Sequence, residues 1–325
     1  MAGSSVDNKS TPVICLMGTT ATGKTDAAAY ISKHIDGEII SVDSSLVYRG
    51  MNIGTAKPGP EFLAQYPHHL VDIRNPNDTY SVANFYAQAS AIIDDICARG
   101  KVPILAGGTH FYYSALEKGL SDLPQANAQL RAGINAQAEQ YGWQEMHRRL
   151  TQLDPQSGDR IDPKDAQRIQ RALEIVMQSG IKVADHTCKR SPPISNPMLK
   201  IALAYSDRFY LHQRIEQRFD LMLEQGLQKE VETLLEAGVD PQTPAMKMIG
   251  YRQMLEFLES DLTSKPVRQR AEKELRLKGI AATRQLAKRQ LTWLRNQSNI
   301  VWWVDFGLKQ KNFEQMNAFV SRFAR

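Results

Sequence analysis

The stretch Val13-Ile14-Cys15-Leu16-Met17-Gly18-Thr19-Thr20-Ala21-Thr22-Gly23-Lys24-Thr25 decides how the rest of the chain is read. It opens with an apolar run closed by glycine, the pattern of a strand buried on both faces of a parallel sheet. Gly18 to Thr25 then match G-x-x-x-x-G-K-[ST] in full, and the residues after Gly23 are expected to form a helix to about His34. Glycines let the backbone curl so that successive N–H groups point inward and, with the helix N-terminus, bind phosphate oxygens. Lys24 supplies a point charge for the terminal phosphate, and the Thr25 hydroxyl can ligate Mg²⁺. A strand before the motif and a helix after it argue against a chance glycine turn. The motif is silent about which phosphate compound is held, because kinases, NTPases and some transferases share it.

Alternating strand and helix patterns continue from this point. Strands are expected at Glu38–Asp43, His69–Ile73 and Val102–Ala106, with a helix from an N-cap at Ser81 to Arg99. That order predicts an α/β fold, a P-loop-type parallel sheet flanked by helices. From about Ser121 to Pro197 strand signals stop, and the segment looks helical, with breaks at Asp154-Pro155 and Asp162-Pro163. Leu199–Tyr205 reads as a returning strand, which makes residues 121–198 an all-helical insertion into a core built from 12–120 and 199–325. Helices are expected over Leu211–Ala237, Met246–Leu258 and Val267–Arg295, then a strand at Ile300–Val304 and a helical tail. Trp302 and Trp303 read as core, and residues 1–11 as a disordered tail.

Bulk composition narrows the function. The chain has 325 residues, 42% hydrophobic and 23% charged, with a net charge of +5, values ordinary for a soluble protein. No apolar run approaches the ~18 residues a spanning helix needs, and Met1 to Thr11 has no apolar core of a signal peptide. Cys15, Cys97 and Cys188 are far apart and without zinc-ligand spacing, which fits a reduced, cytoplasmic compartment. The positive charge is concentrated. Between Ser264 and Asn296 lie Lys265, Arg268, Arg270, Lys273, Arg276, Lys278, Arg284, Lys288, Arg289 and Arg295, opposed only by Glu272 and Glu274. Such a one-sided run is better explained by a polyanion than by a solvated helix face.

Two strand ends differ from those of an ordinary P-loop NTPase, whose later strand ends in an acidic residue. Val102–Ala106 instead runs into Gly107-Gly108-Thr109, where the threonine hydroxyl can approach a diphosphate. The second strand ends in Asp43-Ser44-Ser45-Leu46, then Tyr48-Arg49-Gly50-Met51 and Gly54-Thr55-Ala56-Lys57-Pro58. From position alone, Asp43 is a base, a helix cap or a magnesium ligand. With HQRIEQRF from His212, GYRQM from Gly250 and RQLAKRQLTWLR from Arg284, these blocks resemble bacterial tRNA dimethylallyltransferases, over residues 12 to about 304.

The resemblance implies a reaction in which dimethylallyl diphosphate prenylates N6 of the adenosine 3′ of the anticodon, with the phosphate loop holding the donor rather than ATP. It implies Asp43 as the general base, assisted by Thr109 and Lys24, with Ser44, Ser45 and Leu46 on the target nucleoside. Contacts to the tRNA anticodon stem-loop would come from Thr109, Arg131, Gln167-Arg168-Ile169-Gln170-Arg171, Lys247-Met248-Ile249-Gly250-Tyr251-Arg252 and Lys288-Arg289-Gln290-Leu291-Thr292-Trp293-Leu294-Arg295. Within these, Ile169 is expected on a core face and Tyr251 to stack on a base. Arg214 and Arg218, four apart on one helix, either neutralise the donor diphosphate or pair with Glu216, Asp220 or Glu224. A monomer, with no membrane association, is expected. Rival readings are a small-molecule kinase with ATP in the same loop, a non-catalytic RNA-binding protein, and a prenyltransferase of free adenine nucleotides.

Overall fold

The computed structural model describes residues 11–186, 191–260, 264–297, 299–305 and 309–323, without the side chains of 309–311. The N-terminal tail, residues 1–10, and Cys188 therefore lie outside the described residues.

Two compact units emerge, one of residues 1–117 and 194–325, the other Lys118–Pro193. The first is built on a six-stranded, all-parallel sheet in the order β3-β2-β4-β1-β5-β6. Its strands are β1 (Val13–Gly18), β2 (Gly37–Val42), β3 (His68–His69), β4 (Val102–Gly107), β5 (Met198–Ala204) and β6 (Ile300–Asp305). Helices α1 (Lys24–His34), α2 (Pro60–Gln65), α3 (Val82–Ala98) and α4 (His110–Lys118) connect the first strands. The second unit holds α5 (Ala128–Tyr141), α6 (Trp143–Leu153), α7 (Pro155–Arg160), α8 (Ala166–Ser179) and α9 (Val183–His186). The first unit continues with α10 (Arg208–Glu224), α11 (Leu227–Glu236), α12 (Tyr251–Leu258), α13 (Lys265–Arg295) and α14 (Lys309–Val320).

The apolar run that begins the sequence argument forms the middle of the sheet. Val13 to Met17 are wholly buried because odd and even side chains enter different cores. Val13, Cys15 and Met17 pack with α3 and α4, while Ile14 and Leu16 pack with α1 and α14. A third core joins Val47, Tyr48 and Met51 to α10, α11, α12 and α13. The second unit has its own small core around Ile134, Leu150, Ile169 and Leu173. Cys15 and Cys97 are free and buried. No described helix is long and apolar enough to cross a membrane.

Several expected elements change in the structure. The third strand shrinks to His68–His69 because Leu70 and Asp72 take positive φ angles of 64° and 54°, which a pleated strand does not admit. The single helix expected over Leu211–Ala237 is two, broken at Gly226, whose φ is 94°. The helix expected from Met246 begins only at Tyr251, after Gly250 at φ 95°. Trp303 is 43% exposed on the edge strand β6, so it is not core, while its neighbour Trp302 is half-buried against Phe319.

Candidate active site

Strand register places the functional residues side by side. Met17 and Val42 both pair with Gly107, so β2, β4 and β1 end on one line. Ligand sites of open α/β sheets form beyond the carboxyl ends of strands. Here those ends deliver Asp43, the Gly107-Gly108-Thr109 turn and the phosphate loop.

The loop takes its shape from two positive φ angles, 63° at Ala21 and 72° at Gly23. A Cβ on Gly18 would lie 2.6 Å from the Leu203 carbonyl oxygen, so this glycine is required where the chain leaves the sheet. Thr22 donates its hydroxyl to the Thr19 carbonyl at 2.8 Å, and Lys24 Nζ donates to the same oxygen at 2.6 Å. Burial lowers the Lys24 pKa from 10.5 to about 8; Asp43 opposes that shift and Arg218 adds to it. A phosphate group bound in such a place would add negative charge that favours the ammonium.

Asp43 is anchored through Oδ1, which accepts from Ser45 N at 2.8 Å and Ser45 Oγ at 2.5 Å. Thr109 locks the adjoining turn: its N–H donates to the Val42 carbonyl at 3.1 Å, and its hydroxyl accepts from Ser44 N at 3.1 Å. Gly107 permits this closeness, since a Cβ there would meet the Val42 carbonyl oxygen at 2.0 Å. The next residue, His110, is buried and stacks on Trp293 with ring centroids 4.4 Å apart. Burial first, and Lys24 second, push its imidazole down to about 4, so it is neutral at pH 7.

Arg218 belongs to this site, a point sequence reasoning left open. Of the three acids offered as its ordinary partners, two are engaged elsewhere, Glu216 with Arg284 and Asp220 with Arg276 at 2.5 Å, and Arg218 forms no ion pair with Glu224 among the described residues. Arg218 Nη2 donates to the Thr55 carbonyl at 3.1 Å, and its guanidinium pKa is lowered by burial and by Arg214. Lys24, Arg218 and Arg214 thus form a positive cluster faced by one carboxylate, Asp43. The missing signal in the sequence was tertiary pairing. The assignment of Glu216 and Asp220 to α13 leaves Arg218 beside Lys24 and Asp43.

Other expected contacts sort by burial. Tyr251 is 0% exposed and donates its hydroxyl to Glu230 Oε1 at 2.7 Å, so it presents no ring face for stacking. Ile169, Gly250 and Leu294 are buried too, and serve packing. Gln167, Arg168, Lys247, Arg252, Lys288, Arg289, Thr292 and Arg295 are exposed; Gln170, Met248, Ile249, Leu291 and Trp293 are half-buried. Arg131 and Arg171 both bind Glu174, which is 0% exposed, at 2.9 Å and 2.5 Å. The one-sided charge count along α13 also softens. Arg268, Arg276, Lys278 and Arg284 pair with Glu272, Asp220, Glu256 and Glu274, and Glu216 respectively. Lys288, Arg289 and Arg295, at the end that passes the phosphate loop, have no ion pair among the described residues. A wide concavity of about 620 Å³ opens there, lined by Gln285, Lys288, Arg289, Thr292, Trp293 and Asn296.

A phosphate-loop motif on a parallel sheet, a cationic cluster and a strand-end carboxylate, beside a basic helix, define an α/β protein whose candidate site is suited to a phosphorylated ligand. The IPP transferase family model matches residues 46–297. A tRNA dimethylallyltransferase of Azoarcus sp. (strain BH72) is 51% identical over 294 residues, covering 90% of this chain and 89% of that protein. A full-length tRNA isopentenylpyrophosphate transferase from Bacillus halodurans has the same fold, with TM-score 0.68, 34% identity and 96% coverage of each chain. A eukaryotic dimethylallyltransferase acting on tRNA aligns with TM-score 0.77 and 27% identity, covering 96% of this chain and 80% of that one. The chain belongs to the IPP transferase family.

Proposed function

We propose that the protein transfers the dimethylallyl group of dimethylallyl diphosphate to N6 of the adenosine 3′ of the anticodon in tRNA, releasing diphosphate. The observation that carries this reading is the single line of strand ends that sets Asp43 against the phosphate loop and its cations. The N6 amine attacks C1 of the prenyl group, the C1–O bond breaks, its electron pair leaves with diphosphate, and the amine proton passes to Asp43. An adenine amine is a weak nucleophile, so aim matters as much as proton removal. Anchoring of Asp43 through Oδ1 supplies the aim and leaves Oδ2 without a hydrogen bond among the described residues. Ser44, Ser45 and Leu46 border the nucleoside, and Thr109 stands between donor and acceptor.

The diphosphate lies in the Gly18–Thr25 loop on its N–H groups other than that of Thr20, which Gln290 holds, with Lys24 and Arg218, which stabilise the charge that builds on the leaving group. Among the described residues no group of three His, Cys, Asp or Glu side chains could hold a metal by itself. Mg²⁺ binds chiefly through substrate phosphates plus one or two protein oxygens. Thr25 would offer its hydroxyl to that ion, and the ion would supply charge to neutralise the departing diphosphate. The target base must leave its stack to reach a donor beyond the sheet. The exposed residues of α13, of 247–252 and of 167–171, with Arg131, hold the tRNA. The protein acts as a monomer in the cytoplasm, where tRNA is.

Labelled dimethylallyl diphosphate, Mg²⁺ and an unmodified tRNA with adenines after the anticodon provide the test. Wild type is expected to move label to RNA, and Asp43→Ala to lose about 10²–10⁴-fold in rate while keeping tRNA affinity. Absence of transfer together with ATP hydrolysis would replace this reading with a kinase.

A further inference from the structure

Gln290 is a polar side chain buried in the middle of α13, 9% exposed, and a buried amide must find partners for both its ends. Its partners lie in two different ligand loops. Oε1 accepts from Thr20 N of the phosphate loop at 2.8 Å, and Nε2 donates to the Gly108 carbonyl at 2.9 Å. The fit is close enough to require glycine opposite it: a Cβ on Gly108 would come within 2.5 Å of Nε2. Its helical neighbours Lys288 and Arg289 are exposed, and Trp293, one turn on, stacks on His110.

We infer that Gln290 is a positioning residue of the donor site that holds the phosphate loop and the Gly107–Thr109 turn in register and restricts the loop to a two-phosphate ligand. The inference rests on the donor reading of the loop. Two strand ends separated only by a side-chain amide keep Thr109, Asp43 and the loop N–H groups at fixed spacing. The same amide takes the Thr20 N–H away from any ligand and sets the negative end of a carbonyl dipole beside it. A third phosphate would have to displace that oxygen; a diphosphate seated deeper, on Lys24, would not. Gln290 thereby leaves the set of direct RNA contacts expected for the 288–295 block and joins the donor side.

Gln290→Met keeps length and removes both bonds. Gln290→Glu can still accept from Thr20 N but cannot donate to Gly108, and it adds a charge facing the diphosphate. Calorimetry with Mg²⁺ and inorganic diphosphate, then with Mg²⁺ and ATP, gives the discrimination ratio, and steady-state kinetics give donor KM, kcat and tRNA affinity. Two hydrogen bonds at the net worth usual in proteins correspond to about a thirtyfold change. Expected, therefore, are a donor KM about thirtyfold higher in Gln290→Met, a larger rise in Gln290→Glu, a shift of the ratio toward ATP in Gln290→Met, and unchanged tRNA affinity. Weaker tRNA binding at wild-type donor KM would overturn the inference, and so would a loss of active protein with the ligand ratio unmoved. If Gln290→Met does not fold, Gln290→Glu gives the same readouts. Wild type that binds neither inorganic diphosphate nor dimethylallyl diphosphate would instead bring down the donor reading itself, before any variant is compared.

Discussion

Lys24 shows what burial does to one charge. Its ammonium is held below its ordinary range chiefly by desolvation, at about 8 against 10.5. A lysine whose folded pKa is depressed binds fewer protons folded than unfolded between those two values, so stability rises with pH across that window. Below it, the buried charge is a cost to the empty protein that a bound diphosphate offsets. Donor affinity is therefore expected to fall as pH rises through about 8, and binding at pH 8.5 to take up a proton. Calorimetry in two buffers of different ionisation enthalpy measures the uptake, and identical heats would refute it. The sequence motif identified Lys24 as a phosphate ligand, but its electrostatic state is set by burial first, then by Asp43 and Arg218, neither of which adjoins it in the chain.

At the scale of elements, the segment Asn52–Gly54 has no regular partner, yet its backbone is held. Glu230 on α11 accepts from Asn52 N at 2.9 Å, Ile53 N at 2.7 Å and Gly54 N at 3.1 Å, and from Tyr251 on α12. One carboxylate thus ties two helices to the loop that presents the Thr55 carbonyl to Arg218. Gly54 is required because a Cβ would lie 2.6 Å from the Tyr251 ring. A glutamine at position 230 can accept on one atom only and would set an N–H₂ against backbone donors. Glu230→Gln should cost about 2 kcal/mol, read as a lower Tm, and raise donor KM through Arg218. An unchanged KM at lowered Tm would separate the loop from the site. Tyr251 was legible as important from its GYRQM block, but its role was not. A tyrosine before an exposed arginine suggests stacking, and only packing against Gly54 and Glu230 turns it inward.

Across the whole molecule, charge is distributed so that acids of α10 and α12 pair with Arg276, Lys278 and Arg284 in the middle of α13, while Lys288, Arg289 and Arg295 at its end have no ion pair among the described residues. Neutralising Lys288, Arg289 and Arg295 together should reduce the salt slope of tRNA binding by about 2, leaving donor KM unchanged. A slope equal to wild type would move the RNA footprint elsewhere. The sequence by itself determined the parallel sheet, the phosphate loop, the strand-end placement of Asp43 and Thr109, and the family, because each is written in contiguous residues: an apolar run, a glycine spacing, a block. Tertiary structure alone decided which arginines are free, which aromatic is buried, where long helices break and what Gln290 holds. Those outcomes depend on pairings between residues far apart in the chain, and on backbone angles at Leu70, Asp72, Gly226 and Gly250 that periodicity does not record.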